Sequence, residues 1–589
     1  MEIPCCFICI LLYINLGIMK TLLSVSLLIL LTSNNIHAQQ PYAWARSSSG
    51  SGDESARNIT VDKQGNIYHT GVFSGTADFD PGAGIANLTS NGMDDIYLAR
   101  YDSAGHYLWA ISIGGAQYDW ASMALIDDTG NVYVTGLFGG TVDFDPGPGT
   151  DFFTSGFADI FIAKYDSAGN YLWAKQMVGN GGAFPPLMAS DKAGNIFLAG
   201  MLFNNIDFDP GFGNASLFST GGNLYFAKYD NNGNYIRAYK IGNNPNQGID
   251  IAGLALDSLA NIYIAGAFSS SGPFDFDPGA GIANLYTAGL NSNDIYFAKY
   301  DSAGNYLWAY SLPDTSTHDE YCTGLYVNGA GDIFICGVLG YINGTADSVY
   351  SDFDPGAGVA GFPGKPGAFF ARYDSAGNYI YAKALYSSNT NPQPMALATD
   401  PAGNVYLTGT FLDTVDFNPG TAVTNLVGNN TNIFYAKYDP NGQLDFAYGI
   451  GGFNNCTANA IALDSFDNAY IAGSFMGTVD FDPGAGVSNL TALLGQDMVI
   501  VKFGDSTAPV KVMQVSTNSD ISIYPNPARE SVTVRSSSKI NEVRLTNTMG
   551  QLLQTSQADK ISLGDYPPGV YFIHVSTADG SFTRKFLKE

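Results

Sequence analysis

Cations, histidine and cysteine are scarce in this 589-residue sequence. Lys plus Arg number 26 against 53 Asp plus Glu, a formal net charge of −27. Phosphate binding needs clustered cations, so this balance argues against nucleic acid or an anionic membrane surface as the main partner. The histidines beyond the N-terminal leader (His69, His106, His318 and His574) share no repeat position and no zinc spacing. Cys5, Cys6 and Cys9 lie in the leader, leaving Cys322, Cys336 and Cys456. Cys322 and Cys336 fall on two neighbouring candidate strands, where a disulfide is one outcome, and Cys456 has no evident partner. No Gly-x-Ser-x-Gly elbow, Walker A loop or Rossmann fingerprint is present. These absences lower the enzyme reading without closing it, because a glycosidase carboxylate pair would be hidden among so many acids. Disorder, the other meaning of an acidic chain, is opposed by 13% aromatic and 46% hydrophobic residues.

Long apolar runs are confined to the N-terminus. From Met19-Lys20 the chain passes through Leu22 to Leu31, then polar residues, then Ile36-His37-Ala38 before Gln39. This pattern resembles a secretory signal peptide with a small-residue cleavage site, so residues 1–38 read as a leader and the mature chain carries no transmembrane segment. Residues 1–18 are also apolar and point to a start at Met19 as an alternative to Met1. A membrane anchor built from both runs is the competing reading.

What is present in abundance is a repeat. Asp78-Phe79-Asp80-Pro81-Gly82 returns at Asp143, Asp207, Asp275, Asp352, Asp416 and Asp480, with only the sixth copy altered, to Asp416-Phe417-Asn418. A period of about 64 residues or more marks a repeat architecture. Within the second repeat, Met123–Asp127 and Val132–Gly136 flank a turn signal, a long connection carries the motif, and Asp159–Tyr165 and Tyr171–Lys175 flank a second turn. Four strands per repeat is one blade of a β-propeller. Strands one to three occur seven times, and the fourth is missing after Phe503. Tyr42-Ala43-Trp44-Ala45 matches the fourth strands Tyr107-Leu108-Trp109-Ala110 and Tyr171-Leu172-Trp173-Ala174. The expected fold is therefore all-β: a seven-bladed β-propeller over residues 39–503, closed by an N-terminal strand. The motif connections follow strand two, so any site is expected on the face that carries them.

The Asp-Phe-Asp triplet has two readings. In extended backbone both carboxylates face one way and Phe the other. The preferred one is a turn, with Asp accepting backbone N–H bonds and Phe buried. The sharper one is Ca²⁺ binding, with candidate ligands Asp78, Asp80, Asp143, Asp145, Asp207, Asp209, Asp275, Asp277, Asp352, Asp354, Asp416, Asn418, Asp480 and Asp482. Carboxylates about 6.6 Å apart repel by roughly 0.6 kcal/mol in water and about 2.5 kcal/mol at an effective dielectric of 20, so no metal is required at a surface. The EF-hand spacing and the Ca²⁺-binding nonapeptide are absent. No catalytic residue or organic cofactor is assigned. The cations of the recurring Ala-Lys/Arg-Tyr strand are expected to pair with a nearby Asp, an exposed pair of little worth.

Composition changes after Phe503. Residues 504–520 are a polar linker, and residues 521–589 carry short alternating strands suited to a small β-sandwich. Ile523-Tyr524-Pro525-Asn526-Pro527, Val543-Arg544-Leu545 to Gly550, Pro567-Pro568-Gly569-Val570-Tyr571 and the terminal Lys585-Phe586-Leu587-Lys588 resemble the type A C-terminal sorting domain of the type IX secretion system of Bacteroidota. The residues that carry the resemblance are Pro525, Asn526, Pro527, Gly550, Gly569, Tyr571, Lys585 and Lys588. It implies handling by the type IX machinery and a secreted or cell-surface protein. The repeats resemble the bacterial β-propeller repeat family often joined to this domain, which is nearly silent on activity. Two functions follow as expectations: non-enzymatic binding or adhesion to glycan or protein, and, as the alternative, a secreted polysaccharide hydrolase or lyase.

Overall fold

The computed structural model describes residues 40–504 and 522–588, apart from 181–183, 243–247, 270–271, 288–292, 313–318, 342–350, 363–366, 388–389, 391, 453, 537–538, 548–551, 557, 565 and 578–579. The leader, most of the linker, His318 and Gly550 lie outside the described residues. Among those described, all regular structure is β-strand. The chain divides into two compact units, Met1–Ala508 and Pro509–Glu589.

In the first unit strands pair antiparallel in seven successive groups of four. Group one is Glu54–Val61, Ile67–Phe73, Asp95–Tyr101 and Tyr107–Ile113, and group two is Trp120–Ile126, Val132–Asp143, Phe152–Tyr165 and Tyr171–Gly179. The first strands of groups three to seven are Leu187–Ser190, Gly253–Leu256, Asp319–Val327, Gln393–Thr399 and Cys456–Leu463. Group seven takes its fourth strand from the N-terminal end: Tyr42–Ser47 pairs with Asn489–Phe503, Ala45 facing Val501. Each first strand lies against the first strand of the next group, and that of group seven lies against Glu54–Val61.

The middle strands explain this arrangement. Ile67–Phe73 is buried at every residue, and Asp95–Tyr101 at every residue except Arg100. A strand buried on both faces reads as a continuous apolar run rather than an alternation, so each group must be covered from both sides. The hydrophobic cores accordingly lie between groups. Tyr68, Ile96 and Leu98 of group one share a core with Val134, Phe161 and Ala163 of group two. Ile67, Tyr97 and Ala99 on the opposite face share another with Tyr470, Ala472 and Ile500 of group seven.

Second and third strands run further than their sequence pattern suggests. Val132–Asp143 and Phe152–Tyr165 lose register between Phe138 and Gly140, then resume pairing as far as Asp143 opposite Phe152. Gly140 supplies the left-handed φ of 65° that such a bulge requires, and Asn204 (54°) and Asp413 (60°) do so at the equivalent places. The motif is therefore the tip of an extended hairpin, not a free connection. Its first Asp is also where groups are stitched: Ser49 faces Asp78, Val178 faces Asp207 and Tyr386 faces Asp416, each pair joining one group's fourth-strand end to the next group's hairpin.

Cys322 and Cys336 are both buried and free. Cys322 enters the core between groups four and five and Cys336 the core between five and six, so the two thiols lie on opposite faces of their sheet and form no disulfide.

The second unit has a three-stranded sheet (Ser522–Tyr524, Ser531–Arg535, Lys560–Ser562) and a four-stranded one (Leu552–Ser556, Ile540–Thr546, Gly569–Thr577, Gly580–Lys588). They share one core containing Val532, Val534, Ile561, Val543, Leu545, Ile573 and Phe586.

Candidate functional site

The seven motif hairpins have one geometry. Asp78 Oδ1 accepts the N–H of Asp80 at 3.0 Å and of Ala86 at 2.8 Å, and Asp80 Oδ1 accepts the N–H of Gly82 at 2.8 Å. The same bonds recur at Asp143/Asp145, Asp207/Asp209, Asp275/Asp277, Asp352/Asp354, Asp416/Asn418 and Asp480/Asp482. Phe79, Phe144, Phe208, Phe276, Phe353, Phe417 and Phe481 are wholly buried. The carbonyl of Phe79 accepts the hydroxyl of Tyr101 at 2.7 Å, and a third-strand tyrosine does likewise in five other groups. Group seven has Phe503 there instead, and Tyr42 from the N-terminal strand bonds Ser488 Oγ at 2.6 Å.

Asp80 also dictates Gly84. A Cβ on Gly84 would stand 2.1 Å from Asp80 Oδ2, and the glycines at 149, 213, 281, 358 and 486 are equally constrained. The sixth hairpin has Asn418 and Ala422 in these two places. The sequence-named carboxylates are thus brought together in pairs within each hairpin. No cluster of three or more His, Cys, Asp or Glu able to hold a metal occurs among the described residues.

At the hairpin tips the same position carries an exposed aliphatic side chain: Ile85, Ile282, Val359, Val423 and Val487, between 68% and 80% exposed. Sequence reasoning passed over this position, although a β-branched residue recurring seven places after the first Asp was a readable signal.

Beyond the ends of strands one and three lie short turns built on a single Asp. Asp127 Oδ1 accepts from the Thr129 hydroxyl and from the Thr129 and Asn131 N–H groups, and Asn131 Nδ2 donates to Asp127 Oδ2. Burial alone would raise the Asp127 carboxyl, but these bonds hold it down at about 2. Each group adds one third-strand cation over a second-strand ring, from Lys164 over Tyr133 at 4.5 Å to Arg372 over Phe334 at 5.4 Å. Arg100, Lys299, Arg372 and Lys502 also donate to a turn carbonyl of the next group, at Ser167 (2.6 Å), Ser375 (3.1 Å), Pro440 (3.0 Å) and Ser103 (3.0 Å). These cations are largely buried, so they are worth more than the exposed pairs expected from the sequence. Lys164 instead donates to Tyr133 Oη at 2.6 Å within its own group. A cavity of about 410 Å³ lies there between groups two and three, lined by Asp127, Asp191, Lys192 and Asn231 among others.

Acids also occupy group junctions, at the start of a third strand (Asp95) or just before a first strand (Asp119). Asp95 is fully buried and pushed up to about 6 by that burial, against the Asn91 N–H. Asp119, likewise buried, is pushed up to about 7, although the N–H groups of Gly115 and Gly139 bond it at 2.7 and 3.0 Å.

In the second unit Asn526 Oδ1 accepts the N–H of Leu587 at 2.9 Å, and Ala528, just after Pro527, bonds the Leu587 carbonyl at 2.8 Å. Lys588 is buried and donates to the Tyr566 carbonyl. Tyr571 donates to the Pro567 carbonyl at 2.7 Å and stacks on Phe586, and Gly569 pairs with Lys588. Asn526, Gly569, Tyr571 and Lys588 thus come together from both ends of the unit, with Pro525 and Pro527 on either side of Asn526 in the chain; Lys585 pairs with Phe572, three residue pairs along the same two strands.

Residues 522–589 match the family model of the secretion system C-terminal sorting domain. That domain marks proteins exported by the type IX system, and it places this one at the cell surface or in the extracellular space. An uncharacterised WD repeat-containing protein, L264, of Acanthamoeba polyphaga mimivirus is 22% identical over 492 residues, covering 72% of this chain and 30% of that protein. The regulatory protein FlaEY of Caulobacter vibrioides is 27% identical over 139 residues, covering 22% of this chain and 15% of that protein. The chain spans less than a third of the length of these curated relatives. Among solved structures, the WD40 domain of Neurospora crassa Pan2 aligns with a TM-score of 0.36 at 8% identity, covering 78% of this chain and 96% of that one. A polysaccharide lyase of family PL25, an ulvan lyase, aligns with a TM-score of 0.41 at 11% identity, covering 77% and 98%.

Proposed function

We propose that the first unit is a seven-bladed β-propeller closed by Tyr42–Ser47, and that the exported protein is a non-enzymatic binding or adhesion protein whose motif-hairpin face contacts an extracellular protein or glycan. The propeller reading is supported by cores shared between successive groups, by first strands that neighbour one another, and by the fourth strand that group seven takes from Tyr42–Ser47. The repeats are those of the bacterial β-propeller repeat family, and the type IX machinery of Bacteroidota reads the exposed Pro525, Asn526 and Pro527, held in place by the buried Tyr571 and Lys588 beside Gly569.

One observation carries the binding role. Each hairpin engages one oxygen, Oδ1, of both motif side chains in bonds to its own backbone, and five of the seven display an exposed Ile or Val at the tip. Loops that hold their acids in place and present aliphatic side chains at one repeated position suit contact rather than chemistry. Binding of the purified chain to arrays of extracellular glycans and proteins, followed by a product assay on each hit, tests this. A variant with Ile85→Asp, Ile282→Asp, Val423→Asp and Val487→Asp is expected to lose at least tenfold in affinity with an unchanged melting temperature. Turnover of a bound polysaccharide, or undiminished binding by the variant, overturns the reading.

A further inference from the structure

The junction between groups seven and one contains two acids with unusual surroundings. Glu54 opens the first strand of group one and pairs opposite Phe73, while Asp497 opens the inner part of the third strand of group seven and pairs opposite Phe475. Both are fully buried. None of the four Glu54 and Asp497 carboxyl oxygens makes a hydrogen bond of good geometry within the protein, and of the backbone donors the Leu493 N–H bears on Asp497. Their side chains meet each other instead, a contact that burial followed by the Asp497 charge makes strongly unfavourable for ionised Glu54. Gly50 makes room for the contact: a Cβ there would stand 2.0 Å from Glu54 Oε1.

No lysine, arginine or histidine among the described residues forms an ion pair with either acid. The titratable groups around them do not compensate. Asp53, from the segment leading into Glu54, adds a second like charge, and its Oδ1 bonds the N–H of Gln496 at 2.9 Å. From the third strand of group one come Tyr97, itself raised in part by Glu54, and the buried Asp95. His69, on the second strand, is buried and held neutral, pushed down to about 3. Cys456 opens the first strand of group seven with a raised thiol, and Arg57, further along Glu54–Val61, acts on Tyr97. Two carboxylates in contact without a cation cannot both be ionised in such a place.

The fold does not demand acids at this position. The equivalent places hold Asp95 and Asp119 at the junction of groups one and two and Asp294 and Glu320 at that of groups four and five, all buried, but Asn432 and Cys456, buried and neutral, at that of groups six and seven, so acids are accommodated there without being required. We propose that Glu54 and Asp497 share one proton across the junction of the first and last groups, and that this proton is a latch on the seam where the two ends of the first unit meet. Removing it places two negative charges face to face inside the seam.

The sign follows from linkage. The folded pair retains a proton at pH values where the unfolded carboxyls, near 4.3, have lost theirs, so folding takes up a proton and stability falls as pH rises from the carboxylate range through neutrality. Over that window the folding equilibrium is expected to weaken by up to about tenfold per pH unit. Urea unfolding of the full chain between pH 5 and pH 9 measures the slope, and Glu54→Gln, whose amide donates to Asp497 without needing a proton, is expected to flatten it. Asp497→Asn should do the same, and serves if Glu54→Gln fails to fold. Infrared difference spectroscopy at pH 7, variant against wild type, should show the loss of one protonated-carboxyl equivalent in each variant, over the background of the other buried acids such as Asp119. A slope unchanged in the variants, or no such loss, overturns the proposal. Stabilisation of the wild type but not of Glu54→Gln by added Ca²⁺ or Mg²⁺ also overturns it, because a cation would then hold the pair.

Discussion

Replacing Asp78 by Asn and, separately, by Ala tests what the repeated acids do. Asp78 Oδ1 receives two backbone N–H bonds, at 3.0 and 2.8 Å, that fix the hairpin tip. Hydrogen bonds to a charged group contribute roughly 1.5–3 kcal/mol each, and neutral ones about 1 kcal/mol. Ala removes both bonds, an expected loss of about 3–6 kcal/mol. Asn keeps the acceptor oxygen and loses only the charge, an expected loss of about 1–4 kcal/mol and always about 2 kcal/mol less than Ala. The native sixth hairpin supports the neutral substitution at the neighbouring position, since Asn418 Oδ1 accepts the Gly420 N–H at the same 2.8 Å. Unfolding entropy near 2.1 cal/mol/K per residue, over the roughly 465 residues of the first unit, gives about 1 kcal/mol per degree. Melting should therefore fall by about 3–6 °C for Ala and about 2 °C less for Asn, and scanning calorimetry with and without a chelator reads both. A Ca²⁺ site predicts a different pattern: Asn as damaging as Ala, and a wild type that melts lower after chelation. That pattern would refute the backbone account of the motif.

Lys502→Met should cost about 2–4 kcal/mol, because it deletes the cation over Tyr470 and the bond to Ser103 that joins group seven to group one; urea unfolding measures it, and a loss below 0.5 kcal/mol would show that the seam does not depend on this side chain. Cys322, Cys336 and Cys456 should resist thiol reagents in the native protein and react once it is unfolded, since all three are buried and burial pushes Cys336 up to about 12 and Cys456 up to about 11; rapid native labelling contradicts this, and failure to label the unfolded, unreduced chain would reveal a disulfide.

Period, strand order and the orphan Tyr42-Ala43-Trp44-Ala45 segment were legible in the sequence because local turn chemistry and strand pattern agree in every repeat. The length of strands two and three was not. Their outer halves carry polar residues such as Thr141 and Thr154, which pair with each other on an exposed surface and so lack an apolar alternation. The buried acids were equally hidden. Asp95, Asp119, Glu54 and Asp497 read as ordinary polar residues at strand ends, and only the packing of one group against the next shows that water does not reach them. The division of Cys322 and Cys336 between two cores depended on a bulge between Cys322 and Gly324, which shifts the register by one residue.

Gly504 donates its N–H to the Pro41 carbonyl at 2.7 Å, where the other six groups have a turn of the Asp-x-x-Gly-Asn type between strands three and four. The opening in the chain is thus one of seven near-equivalent sites. A circular permutant with residues 504 and 41 joined by such a turn and new termini at Asn231-Asn232 would keep every strand pairing of the first unit. In the proposed propeller, where the polypeptide starts is then a matter of how the protein is made and exported, while a closed ring of this kind has no privileged beginning.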